Sequence, residues 1–186
     1  MKQDYNFEVD KIKSLSNEEK VSRKEYLNTF LETGFPNKQN EDWKFTDLNA
    51  ILNKNFNEIT NNFKFDLNKK FKILENFDHN YILLANGTLS ESNLNYENKD
   101  KIKIKEFKDV NKVTPVTANN LILLNKALSS GGYSLEILDN YKFKKPLIIY
   151  NYFSENLKNV ILNNSNYIKL NKESELTVIE YTIDNS

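Results

Sequence analysis

The sequence predicts a mixed α+β fold, mainly β, in which a small helical region comes first. Helix start and stop signals bracket residues 16–34, an Asn-Gly hairpin signal lies near residue 86, and five short apolar runs fill the last third. We therefore predict an N-terminal helical region at 1–79, a linking region of hairpin and helix at 80–132, and the start of a β core at 133–186.

The first helix is predicted at residues 16–33. Ser16 and Glu19 have the spacing of a capping box, in which each side chain satisfies a free backbone donor of the first turn. Gly34 suits the left-handed position that follows a helix, and Pro36 prevents the helix from resuming. The helix carries a partial apolar stripe, formed by Val21, Leu27, Phe30 and Leu31.

A turn and a second, shorter helix are predicted next. The turn covers residues 37–40, and Thr46 is a candidate N-cap for a helix that continues to Leu52. The lone Trp43 lies among charged residues; we interpret it as a packing residue that holds the turn on the helical region, with a partner contact as the alternative. Residues 55–77 carry Phe without a clean period, so irregular or weakly helical structure is expected there.

The linking region combines β and helical signals. The run 81–85 ends at Asn86-Gly87, which favours a type I′ turn and therefore a hairpin. Residues 101–107 alternate lysine with apolar residues, as in a strand with one wet face. Residues 118–128 have apolar side chains at helical spacing, and we expect Gly131-Gly132 to end that helix.

The last third is a succession of short β runs, at 133–138, 146–152, 159–162, 167–170 and 176–183. Spacing alone allows either a sandwich or the stacked coils of a β-helix. Asn-rich connections and consecutive aliphatic residues favour coils. The final run would leave a sheet edge uncovered, so we expect a longer protein or a covering chain, and edge-to-edge self-association is an expected risk of a truncated chain.

Composition narrows the classes of function. With 26 basic and 26 acidic residues the chain has no net charge, which argues against a protein that coats nucleic acid. The absence of cysteine excludes disulfides, thiol nucleophiles and thiolate metal ligands. No apolar run approaches the ~20 residues of a membrane span. We expect a cytoplasmic protein that binds neither nucleic acid nor a membrane.

Few side chains are candidates for chemistry. The sole histidine, His79, is interpreted as a surface or loop-packing residue, although Asp78 beside it could orient it as a base. Lys101, Lys103 and Lys105 are interpreted as a solvated face that protects an edge strand, with nucleic-acid binding as the alternative. No glycine-rich phosphate loop is present. We predict no catalytic, cofactor-binding or metal-binding residue and expect no enzymatic activity.

Two groups of motifs resemble the SufB/SufD family of iron–sulfur cluster assembly proteins, with SufD the closer branch. The first is Gly34-Phe35-Pro36 followed by Asn40-Glu41-Asp42-Trp43-Lys44-Phe45-Thr46-Asp47-Leu48. The second comprises Leu124-Asn125-Lys126-Ala127-Leu128, Gly131-Gly132-Tyr133-Ser134-Leu135-Glu136-Ile137, Lys145-Pro146-Leu147-Ile148-Ile149 and Leu176-Thr177-Val178-Ile179-Glu180. Their order and spacing agree with that family across residues 16–183.

The resemblance implies that residues 133–186 are the first coils of a right-handed parallel β-helix, truncated here relative to family members. It implies a non-enzymatic scaffold subunit of the SUF complex, which pairs with a SufB-like chain and the SufC-like ATPase, with the cluster present only at the level of the full complex. The alternative is a β-helix carbohydrate-binding or carbohydrate-active module. That function would need clustered carboxylates, for which the candidates are Glu173, Glu175, Glu180 and Asp184.

Overall fold

A computed structural model describes residues 4–13, 15–61, 72–106, 119–154, 157 and 159–184. These residues form two compact units that are each discontinuous in sequence. The first contains described residues of 4–61, 119–130 and 159–163, and the second contains described residues of 72–106, 131–157 and 164–184. The units follow contacts in space, and the three-part division along the sequence stays a prediction.

Helix α1, Asn17–Thr33, begins and ends where the sequence predicts. The Ser16 hydroxyl accepts a hydrogen bond from the Glu19 amide at 3.2 Å, and the Glu19 carboxylate accepts one from the Ser16 amide at 2.6 Å. The predicted apolar stripe is only half right, because Leu27 and Phe30 are buried whereas Val21 and Leu31 are exposed. The third buried position of the helix belongs to Arg23.

The core of the first unit lies where α1 packs against helix α3, Asn120–Leu128. Phe30 contacts Phe35 edge to face, with ring centroids 5.0 Å apart. Helix α3 starts at the N-cap Asn119, whose side-chain oxygen accepts from the Leu121 amide at 2.9 Å. The remaining buried members of this core are Val9, Leu27, Leu123, Leu124, Ala127 and Leu128.

Helix α2, Leu48–Asn55, is capped one residue later than predicted. The Asp47 carboxylate accepts a hydrogen bond from the Ala50 amide at 2.8 Å, so Asp47 and not Thr46 is the N-cap. A carboxylate at this position also interacts favourably with the helix dipole. The helix continues three residues beyond the predicted end at Leu52.

Two short strands of this unit were not predicted from the sequence. Strand β1, Asp4–Asn6, pairs in parallel with strand β2, Glu58–Thr60, which lies in the segment expected to be irregular or weakly helical. Three residues are too few to show a period, and the partners are more than fifty positions apart. The predicted strand at 159–162 is absent, and Val160 there forms only an isolated bridge to Thr60.

The second unit contains two sheets. Strands β3, Asn80–Ala85, and β4, Thr88–Asn93, form the predicted hairpin, and strand β5 is Ile102–Glu106. Strands β6, Gly131–Ile137, β7, Leu147–Phe153, β8, Asn164–Leu170, and β9, Val178–Asp184, follow. One sheet has the order β4-β3-β7-β9 and the other β5-β6-β8.

From β6 onward the chain alternates between the two sheets. Strand β8 pairs in parallel with β6, and β9 pairs in parallel with β7, each over seven residue pairs. Side chains from both sheets share one apolar core, which comprises Ile82, Leu84, Leu94, Ile102, Tyr133, Leu135, Ile137, Leu147 and Ile149. The outer face of β3 and β7 buries a second cluster, formed by Leu83, Ala85, Ile148, Tyr150 and Tyr152.

Two glycine positions depend on the backbone geometry of this unit. In the hairpin, Asn86 and Gly87 both have positive φ, at 48° and 80°, as the predicted type I′ turn requires. Gly132 does not end a helix as predicted, because α3 stops at Leu128 and Gly132 lies inside β6. It has a φ of 124°, and a Cβ there would lie 1.9 Å from the Ser165 carbonyl oxygen on β8. Only glycine fits this close approach between two strands.

Candidate functional site

His79 is buried, at 7% exposure, in the loop that leads into β3. Its Nδ1 lies 2.5 Å from the Phe77 carbonyl oxygen, and its Nε2 lies 2.9 Å from the Tyr150 hydroxyl. Since a carbonyl can only accept, Nδ1 carries the proton and the Tyr150 hydroxyl donates to Nε2. The same hydroxyl accepts from the Leu74 amide at 3.1 Å. His79 is therefore a packing residue, as predicted, but it does not lie on the surface.

Asp78 does not orient His79. Its carboxylate forms an ion pair with Lys145 at 3.2 Å and accepts a hydrogen bond from the Tyr96 hydroxyl, also at 3.2 Å. The hydrogen bond from Lys145 is the main reason why the pKa of Asp78 is lower than usual. The structure thus provides no Asp–His pair for general base catalysis at these two positions.

Glu97 is the most extensively hydrogen-bonded carboxylate of the second unit, and sequence reasoning missed it. Its oxygens accept from the Asn80 side chain at 2.8 Å, the Tyr141 hydroxyl at 2.8 Å, and the backbone amides of Lys144 and Lys145 at 3.0 and 3.1 Å. Burial acts to raise the pKa of Glu97, but these hydrogen bonds outweigh it and leave the pKa lowered. Glu97 therefore anchors the 141–145 turn beside β3. No local sequence signal marks such a residue.

The structure does not bring the candidate carboxylates together. Glu173 lies in a turn with a φ of 57° and pairs with Lys172 at 3.7 Å. Glu175 forms an ion pair with Lys142 instead. Glu180 lies on β9 in register with Ile149 of the apolar core, and Asp184 is the last residue of that strand. The pairing of Glu173 with Glu175 that carbohydrate chemistry would need is not formed.

Glu180 has an electrostatic effect on one core residue. Burial raises the pKa of Tyr133 to about 12, and the negative charge of Glu180 adds to this shift. Tyr133 is almost fully buried and belongs to the core between the two sheets. Both groups therefore favour a neutral Tyr133 hydroxyl throughout the physiological range.

The lysine stripe of β5 is part of an ion-pair row that crosses the second sheet. Lys103, Glu136 and Lys169 occupy neighbouring register positions on β5, β6 and β8. Glu136 lies 3.3 Å from the Lys103 ammonium and 2.9 Å from that of Lys169. Hydrogen bonds from Lys169, Asn171 and Lys103 lower the pKa of Glu136 to about 2. Lys103 and Lys105 are exposed on an edge strand, as predicted.

Trp43 and its neighbours form the surface that sequence analysis singled out in the first unit. Trp43 is half-buried at the end of a short 3-10 turn, Glu41–Trp43, and its amide donates to the Asn40 carbonyl at 2.8 Å. Phe45, two residues later, is 88% exposed, and the Lys44 ammonium lies 5.0 Å from its ring centroid. The choice between a packing role and a partner contact for Trp43 stays open.

The outer strands β8 and β9 carry the most exposed apolar side chains of the second unit. On β8, Tyr167 and Leu170 are each about half exposed, and on β9 the same holds for Tyr181. Isolated apolar residues on a surface need no explanation, but a contiguous group of them is typical of an interaction surface. The other members of this surface are Ile168, Val178 and Ile179.

Two further searches cover the described residues. No group of three or more His, Cys, Asp or Glu side chains among them is placed to hold a metal ion. Within the same residues, no helix has both the length and the apolar character that a membrane crossing requires.

The described structure is that of a mixed α and β protein with parallel strands in two sheets. The family model for the N-terminal region of SufBD proteins matches residues 3–149, which is most of the chain. The chain therefore belongs to the SufB/SufD family of iron–sulfur cluster assembly proteins. A search of the curated proteins found no significant match.

Proposed function

We propose that the chain is a SufD-like, non-enzymatic scaffold subunit of a SUF iron–sulfur cluster assembly complex and acts in the cytoplasm. The observation that carries this proposal is the family match over residues 3–149, because it includes both the Trp43 motif and the Lys145-Pro146 strand start. The SufD branch rests on the motif resemblance. The partners proposed are a SufB-like paralogue and a SufC-like ATPase.

We also propose that strands β6 to β9 are coils of a right-handed parallel β-helix. The support is that consecutive strands alternate between two sheets while β6 pairs with β8 and β7 pairs with β9. Polar contacts repeat with the same interval, since Glu136–Lys169, Lys142–Glu175 and Asp139–Lys172 each join residues 33 positions apart. A constant interval is expected when equivalent positions of successive coils stack.

A scaffold role agrees with the chemistry of the side chains. His79 and Glu97 are the two buried groups with the most obvious catalytic potential, and hydrogen bonds to neighbouring backbone or phenol groups occupy both. Glu173 and Glu175 pair with lysines. In this proposal, the iron and sulfide are held by the complete complex, and this chain supplies surfaces for protein contacts.

Co-purification tests the proposal. The chain, carrying an affinity tag, would be co-expressed with a SufB-like protein and a SufC-like ATPase from the same genome, and the retained proteins identified. We expect both partners to be retained, and iron and sulfide to be found with the complex but not with the chain alone. Recovery of the chain alone at every ionic strength would contradict the proposal. A tagged chain with Trp43→Ala tests whether the family motif contributes to partner binding.

A further inference from the structure

Strand β5 has one edge that no described strand covers. It pairs only with β6 in the described structure, through the register Ile102↔Ile137 to Glu106↔Tyr133. Alternate residues of a strand direct their amide and carbonyl groups to opposite edges, so an edge strand presents a row of groups able to pair with another strand. The backbone of β5 is therefore suited to accept one further strand.

The two faces of β5 have different chemistry. Ile102 is buried and Ile104 packs against the core, so these side chains lie on the inner face. Lys103 and Lys105 lie on the outer face and are exposed. An added strand would therefore meet two positive charges on one face and apolar side chains on the other.

Electrostatics on the outer face favours a negatively charged occupant. The row Lys103–Glu136–Lys169 has two lysines for one carboxylate. The next row along the strands is Lys105, Ser134 and Tyr167, which brings an ammonium and two hydroxyls and no acid. In the described part of the chain, Lys105 forms no ion pair.

We propose that the free edge of β5 binds an extended acidic segment of a partner protein, which adds to the sheet as a strand. Two acidic side chains of that segment, separated by one apolar residue, pair with Lys103 and Lys105. The intervening residue packs beside Ile104. Side chains two positions apart on a strand are separated by roughly 6.7 Å, so acids at alternate positions match both lysines at once. This interface does not depend on the SufD-like role proposed above.

The observations favour this occupant over two others. A second copy of the chain that pairs β5 with β5 would bring lysines close to lysines across the strands, which is destabilising. Single-stranded nucleic acid is recognised by several aromatic platforms along a basic groove, and the two outer rows of this sheet contain only Tyr167. An alternating acidic and apolar peptide satisfies the backbone edge and both faces.

Peptide binding to the full 186-residue chain tests the proposal. The probe is a fluorescent peptide of sequence Val-Glu-Val-Glu-Val-Glu, and the matched control peptide has the same composition in blocks, Val-Val-Val-Glu-Glu-Glu. We expect the alternating peptide to bind at least about tenfold more tightly than the block peptide. Its binding should slow hydrogen exchange at the amides of residues 102–106.

Charge variants provide the second half of the test. The double substitution Lys103→Gln with Lys105→Gln should weaken binding of the alternating peptide about tenfold, because it removes both ion pairs. The double substitution Lys38→Gln with Lys54→Gln removes the same charge from exposed positions of the first unit and should leave binding unchanged. If the first variant does not fold, the exchange pattern of the unmodified chain decides the outcome.

Four results would overturn the proposal. They are no binding of the alternating peptide, equal binding of the block peptide, equal or tighter binding of an oligothymidylate of the same charge, and protection confined to residues outside 102–106. The second result would indicate attraction by charge alone. The third would assign the face to nucleic acid.

Discussion

An Nη1 atom of Arg23 lies 2.6 Å from the carbonyl oxygen of Ser129 and 3.4 Å from that of Ala127. This guanidinium is 7% exposed, and it is the only one in the chain. It extends from α1 to the C-terminus of α3, where carbonyl groups lack helical partners and the helix dipole favours a positive charge. One side chain thus joins the two main helices of the first unit.

Arg23→Met should lower the free energy of unfolding by about 1.5 to 3 kcal/mol, the usual effect of losing hydrogen bonds to a charged group. Chemical denaturation provides the measurement. Lys24→Met is the matched control, since the Lys24–Asp10 ion pair is exposed and its loss should cost less than about 1 kcal/mol. Equal effects of the two substitutions would show that the Arg23 contacts do not stabilise the fold.

Gly132→Ala should destabilise the protein by at least about 3 kcal/mol, because it adds backbone strain and forces β6 away from β8. Gly34→Ala is the control. Gly34 also has a positive φ, at 72°, but no atom outside its chain neighbours lies within 4 Å of the added Cβ. We expect that substitution to cost only about 1 kcal/mol. Similar melting temperatures for both variants would contradict the role of close strand approach.

Glu97→Gln should destabilise the protein by about 2 kcal/mol at neutral pH, since the turn amides lose a charged acceptor. The pKa of Glu97 is lowered in the folded protein, so its contribution is present above the unfolded pKa of about 4.3 and is lost as the pH falls through the folded value. The difference between the two proteins should therefore narrow in acid. Urea titrations at several pH values measure it, and a constant difference would refute this account.

Glu136 should remain ionised until the pH approaches 2, since three hydrogen-bond donors hold its pKa at about 2. A carbon-13 NMR titration of the side-chain carboxyl measures this midpoint. Lys169→Gln removes the hydrogen bond that contributes most and should raise the midpoint toward the ordinary value of about 4.3. Lys54→Gln, at an exposed position of α2, should leave it unchanged. A midpoint near the ordinary value in the unmodified protein would show that the row is not formed in solution.

Tyr150→Phe should destabilise the second unit by about 1 to 3 kcal/mol, because it leaves the His79 Nε2 and the Leu74 amide without their hydrogen-bond partner. Tyr96→Phe removes only an exposed hydroxyl that donates to Asp78 and should change stability by less than about 0.5 kcal/mol. Thermal unfolding distinguishes them. A Tyr150→Phe protein as stable as the control variant would argue against the hydroxyl chain.

Local features were predicted well from the sequence. The Ser16–Glu19 box gave the start of α1, and Asn86-Gly87 gave the β3–β4 hairpin, because these signals act between residues at most a few positions apart. Caps were less certain. Thr46 and Asp47 are both acceptable N-caps, and only the backbone conformation at the helix start selects Asp47.

The sequence by itself determined the helix and hairpin signals and the motifs that place the chain in its family. The tertiary structure decided which strands pair, which polar groups are buried and what they contact. Arg23 becomes a core residue, and Glu97 becomes the anchor of a turn, because each finds acceptors or donors from distant segments. The free energy of burying a charge depends on such partners, and no local pattern of residues records them.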